Sequence, residues 1–328
     1  MIHITPEGKI INDTLANLPR DYSFPVVSHD GTYQFQVKLH GVSRPQWKTQ
    51  APAKVFVTSD PHANMECFVS LLQGNKVIDK DLKWCFGKNV LVINGDIFDR
   101  GLDATQIFWL VYKLEDEAAR AGGRVYFLLG NHEPMELTND LRYAKSKYKA
   151  LAEALHVKYA SLYGPDTELG RWLGTRNTMQ LIGENLYVHA GVGKAFYDHN
   201  LSIPTVNTEM SRVLFLKSKK RKAYSPLHAF LYGSEGPIWY RGLVRTDAKY
   251  KPCAADTLQM ILNRYEAKHI IVGHTIFDDI STFYGGKVIG VNVDNKKNRE
   301  AKRGRALLIE NGTYYVVGDK GKMRKLSD

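Results

Sequence analysis

Five short apolar runs in this chain each stop against a cluster of aspartate, asparagine, histidine and glycine, and that recurrence constrains the fold more than any other feature. Residues 55–58 lead into Ser59-Asp60-Pro61-His62, residues 90–93 into Asn94-Gly95-Asp96-Ile97-Phe98-Asp99-Arg100-Gly101, and residues 125–129 into Gly130-Asn131-His132-Glu133. Residues 186–188 run into His189-Ala190-Gly191, and residues 270–272 into Gly273-His274-Thr275. The runs read as strands, and helix-patterned stretches such as 106–120 separate them, which argues an α/β fold. In open α/β sheets ligands bind beyond the carboxyl ends of the strands, so the five clusters are expected to converge on one crevice.

The residue types in those clusters are carboxylates, imidazoles and an amide oxygen, without a thiolate. That set suits a hard-to-borderline divalent cation, with manganese, iron or zinc fitting better than calcium. Taken singly, each histidine is more often a hydrogen-bonded structural residue and each aspartate a turn former. Such an explanation would have to hold five times over.

Composition closes off other classes. The 328 residues are 44% hydrophobic and 24% charged, an ordinary globular balance that excludes disordered, collagenous and coiled-coil chains. No window reaches the roughly 18 to 20 apolar residues of a membrane span, and the opening MIHITPEGKI lacks the pattern of a secretory signal. The expectation is a soluble chain, cytoplasmic as it stands and periplasmic if a leader has been removed, with no membrane partner. Cys67, Cys85 and Cys253 are too few and scattered for a disulfide framework. None has an arginine six positions later, so a thiolate phosphatase is set aside.

The formal charge of +11 is concentrated in residues 217–222 (KSKKRK), 295–305 and the C-terminal KGKMRK. Such runs are usually solvated surface, but they could steer an anionic substrate. Nucleic acid is not expected, because no recognised nucleic-acid-binding motif accompanies them. Residues 1–50 alternate polar and apolar in short pieces and read as a β preamble to a single domain over 51–328. That domain is expected to carry helical insertions at about 135–185 and 201–234, the second placed to form a lid or wall beside the site. Asn311-Gly312 between apolar runs predicts a hairpin near the end of the chain.

GDIFDRG (95–101), GNHE (130–133), HAG (189–191) and GH (273–274), in that order after an early DPH, resemble the calcineurin-like metallophosphoesterases of the phosphoprotein phosphatase superfamily. GPIWYRG (236–242) is similar to the branch called Shewanella-like phosphatases. The resemblance covers roughly residues 54–294. It departs from the family pattern at Ser59, Ala63 and Ala190, where glycines are usual. The resemblance implies a four-layer α/β/β/α sandwich with helical insertions and a pair of divalent metals. Asp60 and His62 would bind one metal, Asp96 would bridge both, and Asn131, His189 and His274 would complete the second. Arg100 and Arg241 would hold phosphoryl oxygens bidentately, His132 would be the general acid, and Asp99 would orient it.

Two such cations roughly 3.5 to 4 Å apart can share a water, bring its pKa towards neutrality and clamp both oxygens of an in-line displacement. The implied activity is therefore phosphomonoester hydrolysis by a bridging hydroxide, on a phosphoprotein or small phosphomonoester, with tyrosine or serine/threonine specificity open. A dinucleoside polyphosphate hydrolase or phosphodiesterase is the alternative within the family. A non-catalytic phosphate- or nucleic-acid-binding protein is the alternative outside it. Trp239, Tyr240 and Tyr232 are candidates for packing on an aromatic substrate, although aromatics beside a sheet are more often core.

Overall fold

The computed structural model describes residues 2–4, 9–13, 17–19 and 21–327, so parts of the expected preamble lie outside the described residues. Two six-stranded sheets lie face to face. The first runs in the order Met323–Lys325, Thr313–Gly318, Arg305–Glu310, Lys54–Thr58, Val90–Ile93, Arg124–Phe127, with the last three parallel. The second runs Ser281–Phe283, Val288–Gly290, His269–Val272, Asn185–Val188, Met179–Ile182, Lys48–Thr49, with the two central strands parallel. The central strands are continuous apolar runs such as Val90-Leu91-Val92-Ile93 because both of their faces are buried.

Three apolar clusters define the layers. Val57, Val92 and Leu307 of the first sheet meet Tyr187, Ile271 and Ile289 of the second between the sheets. Phe56, Leu91 and Phe127 pack outward with residues of helices Met65–Gly74 and Ala104–Arg120, while Leu186, Ile270 and Val272 pack with residues of helices Ile203–Arg212 and Ala255–Tyr265. Helix, sheet, sheet and helix follow in that order, which is the four-layer arrangement expected. The hairpin at Asn311-Gly312 is also present; both residues have φ near +50° to +80°, the turn geometry that Asn-Gly favours.

The amino-terminal hairpin of Ser23–Val27 and Gln34–Lys38 alternates as read, with Phe35 and Val37 inward. It packs against helix Ala104–Arg120, where Phe24 meets Trp109 edge-on at 4.9 Å. Lys48–Thr49 then adds an edge strand to the second sheet, so this segment shares the body's core and sheet. Residues 135–185 carry helices Ser146–Ala154 and Glu168–Gly174 around a 3-10 turn, but their end differs from the helical reading. Met179–Ile182 is a strand paired antiparallel with Asn185–Val188, a four-residue apolar run too short to reveal its period. Residues 201–234 are helical, in three short helices.

Several arginines of the basic runs are tied down. Arg299 pairs with Glu66 and Asp319, and Arg305 and Arg324 both pair with Asp279. Arg221, inside KSKKRK, is buried: it donates to the carbonyls of Pro134, Val213 and Leu214, and lies 4.2 Å over the Tyr232 ring. Among the described residues no helix is long and apolar enough to cross a membrane.

Candidate active site

Four of the five strand-end clusters meet around Asn94, which stitches the two sheets together. Its amide donates to Val188 O (3.1 Å) and Ile271 O (3.2 Å) of the second sheet. Its backbone carbonyl accepts from Ser59 Oγ (3.0 Å) and from His189 Nδ1 (2.8 Å), and Gly273 N donates to His189 O (2.7 Å). Asp60, His62, Asp96, Asp99, Arg100 and His274 all adopt left-handed backbone conformations, φ 44° to 72°. Non-glycine residues hold that region only when their surroundings over-determine it, at roughly 1 to 3 kcal/mol each. Six such residues round one pocket mark it as built for function. Glycine is required at 273, where a Cβ would lie 2.0 Å from Ser59 Oγ and 2.7 Å from Asp60 Oδ2. This is how the chain accommodates serine at 59.

A cavity of about 240 Å³ is lined by Asp60, His62, Asp96, Arg100, Asn131, His132, Arg241 and His274. His189 lies fully buried beneath it, with Nε2 3.1 Å from both Asp96 Oδ2 and Asn131 Oδ1. Asp99 stands behind His132, its Oδ2 accepting from Nδ1 at 2.5 Å. All ten residues singled out in the sequence are therefore gathered at one place.

The donor set fits divalent cations. His62 Nδ1 donates to Phe98 O and His189 Nδ1 to Asn94 O, which aims each Nε2 into the cluster. His274 Nε2 is buried without a hydrogen-bond partner. His62, Asp96 and His132 form one group of ligand atoms within 4.8 Å of one another, and Asp96, His189 and His274 form a second. Asp96 belongs to both. Asp60 stands alongside: Oδ2 accepts from Ser59 Oγ and His274 N, while Oδ1 lies 3.9 Å from His62 Nε2.

Burial and close carboxylate–imidazole contacts set the electrostatics of these groups. Burial pushes the Asp60 carboxyl up to about 6 and the His62 imidazole down to about 4. Burial also holds His274 well below its ordinary value, helped by the neighbouring His189. Burial opposes charge on His189 and Asp96 too, but their mutual attraction prevails. It lifts His189 to about 9 and, with His132, holds Asp96 well below the carboxylate range. Cation binding at such a cluster displaces a proton.

Around this centre, Arg241 donates to Thr275 Oγ1 (2.8 Å) and His274 O, and Arg100 lies 5.8 Å from the Tyr143 ring. Trp239 meets His274 edge-on at 5.6 Å and lines the cavity. Tyr240 is core, its hydroxyl bonded to Lys251 O, and Tyr232 is buried with its hydroxyl on Met210 O. Tyr143, which the sequence did not single out, lines the mouth with its ring 5.5 Å from His132.

Two buried carboxyl groups were also missed. Glu136 lies by Asp99; burial first, and then its interaction with the neighbouring Asp99 carboxyl, push it up to about 10. Glu133 accepts from the backbone N–H groups of Asp96, Ile97, Phe98 and Gly130, clasping the GDIFDRG and GNHE loops together. Its place in GNHE was the only signal. Glu133→Ala would leave those donors buried and unpaired, and should cost about 3 kcal/mol. Calorimetric melting should show a clear drop, smaller in Glu133→Gln, whose amide oxygen still accepts; an unchanged melt would contradict the clasp.

Fold and site together define an α/β phosphoesterase with candidate ligand groups for divalent cations. Residues 53–277 match the calcineurin-like phosphoesterase family, and the chain belongs to it. Among solved structures it is similar to the cold-active protein-tyrosine phosphatase of a psychrophilic Shewanella species. Identity is 29%, coverage is 99% of this chain and 98% of that one, and the TM-score is 0.79. It is also 28% identical to Shewanella-like protein phosphatase 1 of Plasmodium berghei over 225 residues, 68% of this chain but 61% of that protein. Shewanella-like protein phosphatase 2 of Arabidopsis thaliana is 25% identical over 297 residues, 77% and 74% of the respective lengths. The family resemblance carried by the sequence motifs is thus borne out.

Proposed function

We propose that this protein is a dinuclear-metal phosphomonoesterase acting on phosphoproteins, with aryl phosphate favoured. Asp60 and His62 would hold one cation, Asn131, His189 and His274 the other, and Asp96 would serve both. His132, though close enough to Asp96 to count as a ligand by distance, is assigned to proton transfer instead. Its Nδ1 is held by the Asp99 carboxylate, where those of His62 and His189 are held by backbone carbonyls, and the ring lines the cavity, a pairing that suits a proton donor. Two divalent cations, manganese first by donor type with iron or zinc next, would acidify a shared water and neutralise phosphoryl charge.

The chain's own groups supply the rest. Arg100 and Arg241 offer planar guanidinium forks to the non-bridging oxygens of the phosphoryl group. Asp99 accepts the hydrogen bond from His132 Nδ1–H, fixes the ring, and leaves Nε2–H to protonate the departing oxygen. Trp239 and Tyr143 give the mouth two aromatic surfaces against which a phenyl leaving group can pack. The name of the Shewanella relative points the same way.

The observation that carries the reading is the joint presence, in one cavity, of both arginines and five of the six proposed ligands, with His189 buried directly beneath them. A diester presents one fewer charged oxygen, and family members that cleave diesters often lack an arginine at the position of Arg100. Turnover of nitrophenyl phosphate, its bis ester and a diadenosine polyphosphate should be compared at equal protein and metal. The monoester should be preferred; faster hydrolysis of either of the others would overturn the assignment.

A further inference from the structure

The catalytic cavity opens through Asn131, Met135, Arg142, Trp239 and Arg241 into a second groove of about 650 Å³, well within the roughly 300–1,000 Å³ range of ligand-sized clefts. Its far wall is built from the helix Ser218–Tyr224 and residues 249–251, to which no motif assigns a role. The charges on that wall do not cancel. Arg142 is paired with Asp140 through two 2.8 Å bonds, and Lys251 with Glu235, so these four groups are internally neutral. Arg221 spends its donors on carbonyls and is buried at the back. Lys222 and Lys249 are exposed, and among the described residues neither has a carboxylate within ion-pair distance. Lys249 lies 4.9 Å over the Tyr250 ring, itself on the groove, and Arg241 at the junction has no carboxylate partner either.

A cationic trough that begins where the phosphoryl group would sit selects what is attached to the phosphoryl group. We propose that this groove receives acidic side chains flanking the phosphorylated residue of a peptide substrate, with Lys222 and Lys249 as the residues that read them. The proposal rests on the phosphomonoesterase assignment. An acidic peptide suits the groove better than a nucleic-acid strand, because the cations left outside ion pairs, Lys222, Lys249 and Arg241, are few and separate, whereas a continuous phosphodiester backbone calls for a continuous basic stripe. A peptide can place its carboxylates selectively.

The test uses matched phosphotyrosine peptides flanked by acidic, neutral or lysine residues, with nitrophenyl phosphate to report the phosphoryl site of the unsubstituted protein. The acidic peptide should exceed the lysine peptide by about tenfold in kcat/KM at low salt, and the ratio should shrink towards one in about 0.5 M salt as screening takes hold. Lys222→Glu combined with Lys249→Glu should invert the preference; both side chains are exposed, so the fold is not at stake. Equal rates for the three peptides, or a preference unmoved by the charge reversal, would overturn the groove proposal while nitrophenyl phosphate turnover kept the phosphomonoesterase assignment standing. Stronger inhibition by a single-stranded oligonucleotide than by the acidic peptide would likewise overturn it in favour of nucleic acid. Absence of nitrophenyl phosphate turnover would sink the phosphomonoesterase assignment, and the peptide substrate with it.

Discussion

Asp96→Asn should lose bound metal and turnover together, with kcat lower by about 10³-fold or more. Even partners that merely orient a metal ligand are worth about 10- to 100-fold in affinity or activity, so a carboxylate common to two ligand groups should be worth more. The substitution changes little else. Asparagine has the same shape, and its amide oxygen can still accept from His132 N, as Asp96 Oδ1 does at 2.9 Å. What disappears is the negative charge that His62, His132, His189 and His274 surround. Metal analysis of purified protein and variant, run beside nitrophenyl phosphate assays and a melting curve, separates the outcomes. A folded variant that kept two metals per chain would refute the shared position of Asp96. One that lost metal yet kept its rate would refute the metal dependence of the chemistry.

Much of this site was legible because its residues belong to local patterns. A central strand buried on both faces must be apolar along its length, and the residue that ends it must turn. Polar clusters at 59–62, 94–101 and 130–133 therefore announced both the strand and the crevice beyond it. What stayed hidden depends on contacts between distant parts of the chain. Asn94 reads as one more turn residue, yet its amide spans to Val188 and Ile271, 94 and 177 residues away. Glu133 binds backbone N–H groups more than thirty residues before it, and such a contact leaves no periodicity to detect. Arg221 misled in the opposite direction. Five of the six residues of KSKKRK are exposed as charge patterning suggests, and only the surrounding helices reveal that the sixth turns inward under Tyr232.

The second large effect is expected at His132, and its pattern across substrates matters more than its size. His132→Asn removes the imidazole that Asp99 orients, and general-acid assistance is typically worth about 10²- to 10⁴-fold. The loss should be in that range for an alkyl phosphate such as a phosphoserine peptide, whose alkoxide is a poor leaving group until protonated. It should be much smaller for nitrophenyl phosphate, whose phenolate departs without a proton. Metal content is the second readout, because His132 also lies within 4.8 Å of the ligand atoms of His62 and Asp96. If His132 carries protons, the variant keeps its metal and loses alkyl turnover selectively. If it is instead a ligand, metal falls and both substrates suffer alike, which would return His132 to the metal centre and leave the leaving oxygen without a donor. Asp99→Asn provides the independent check: Asp99 acts on the reaction only through the 2.5 Å bond to Nδ1, so its loss should reproduce the same alkyl-over-aryl asymmetry in weaker form.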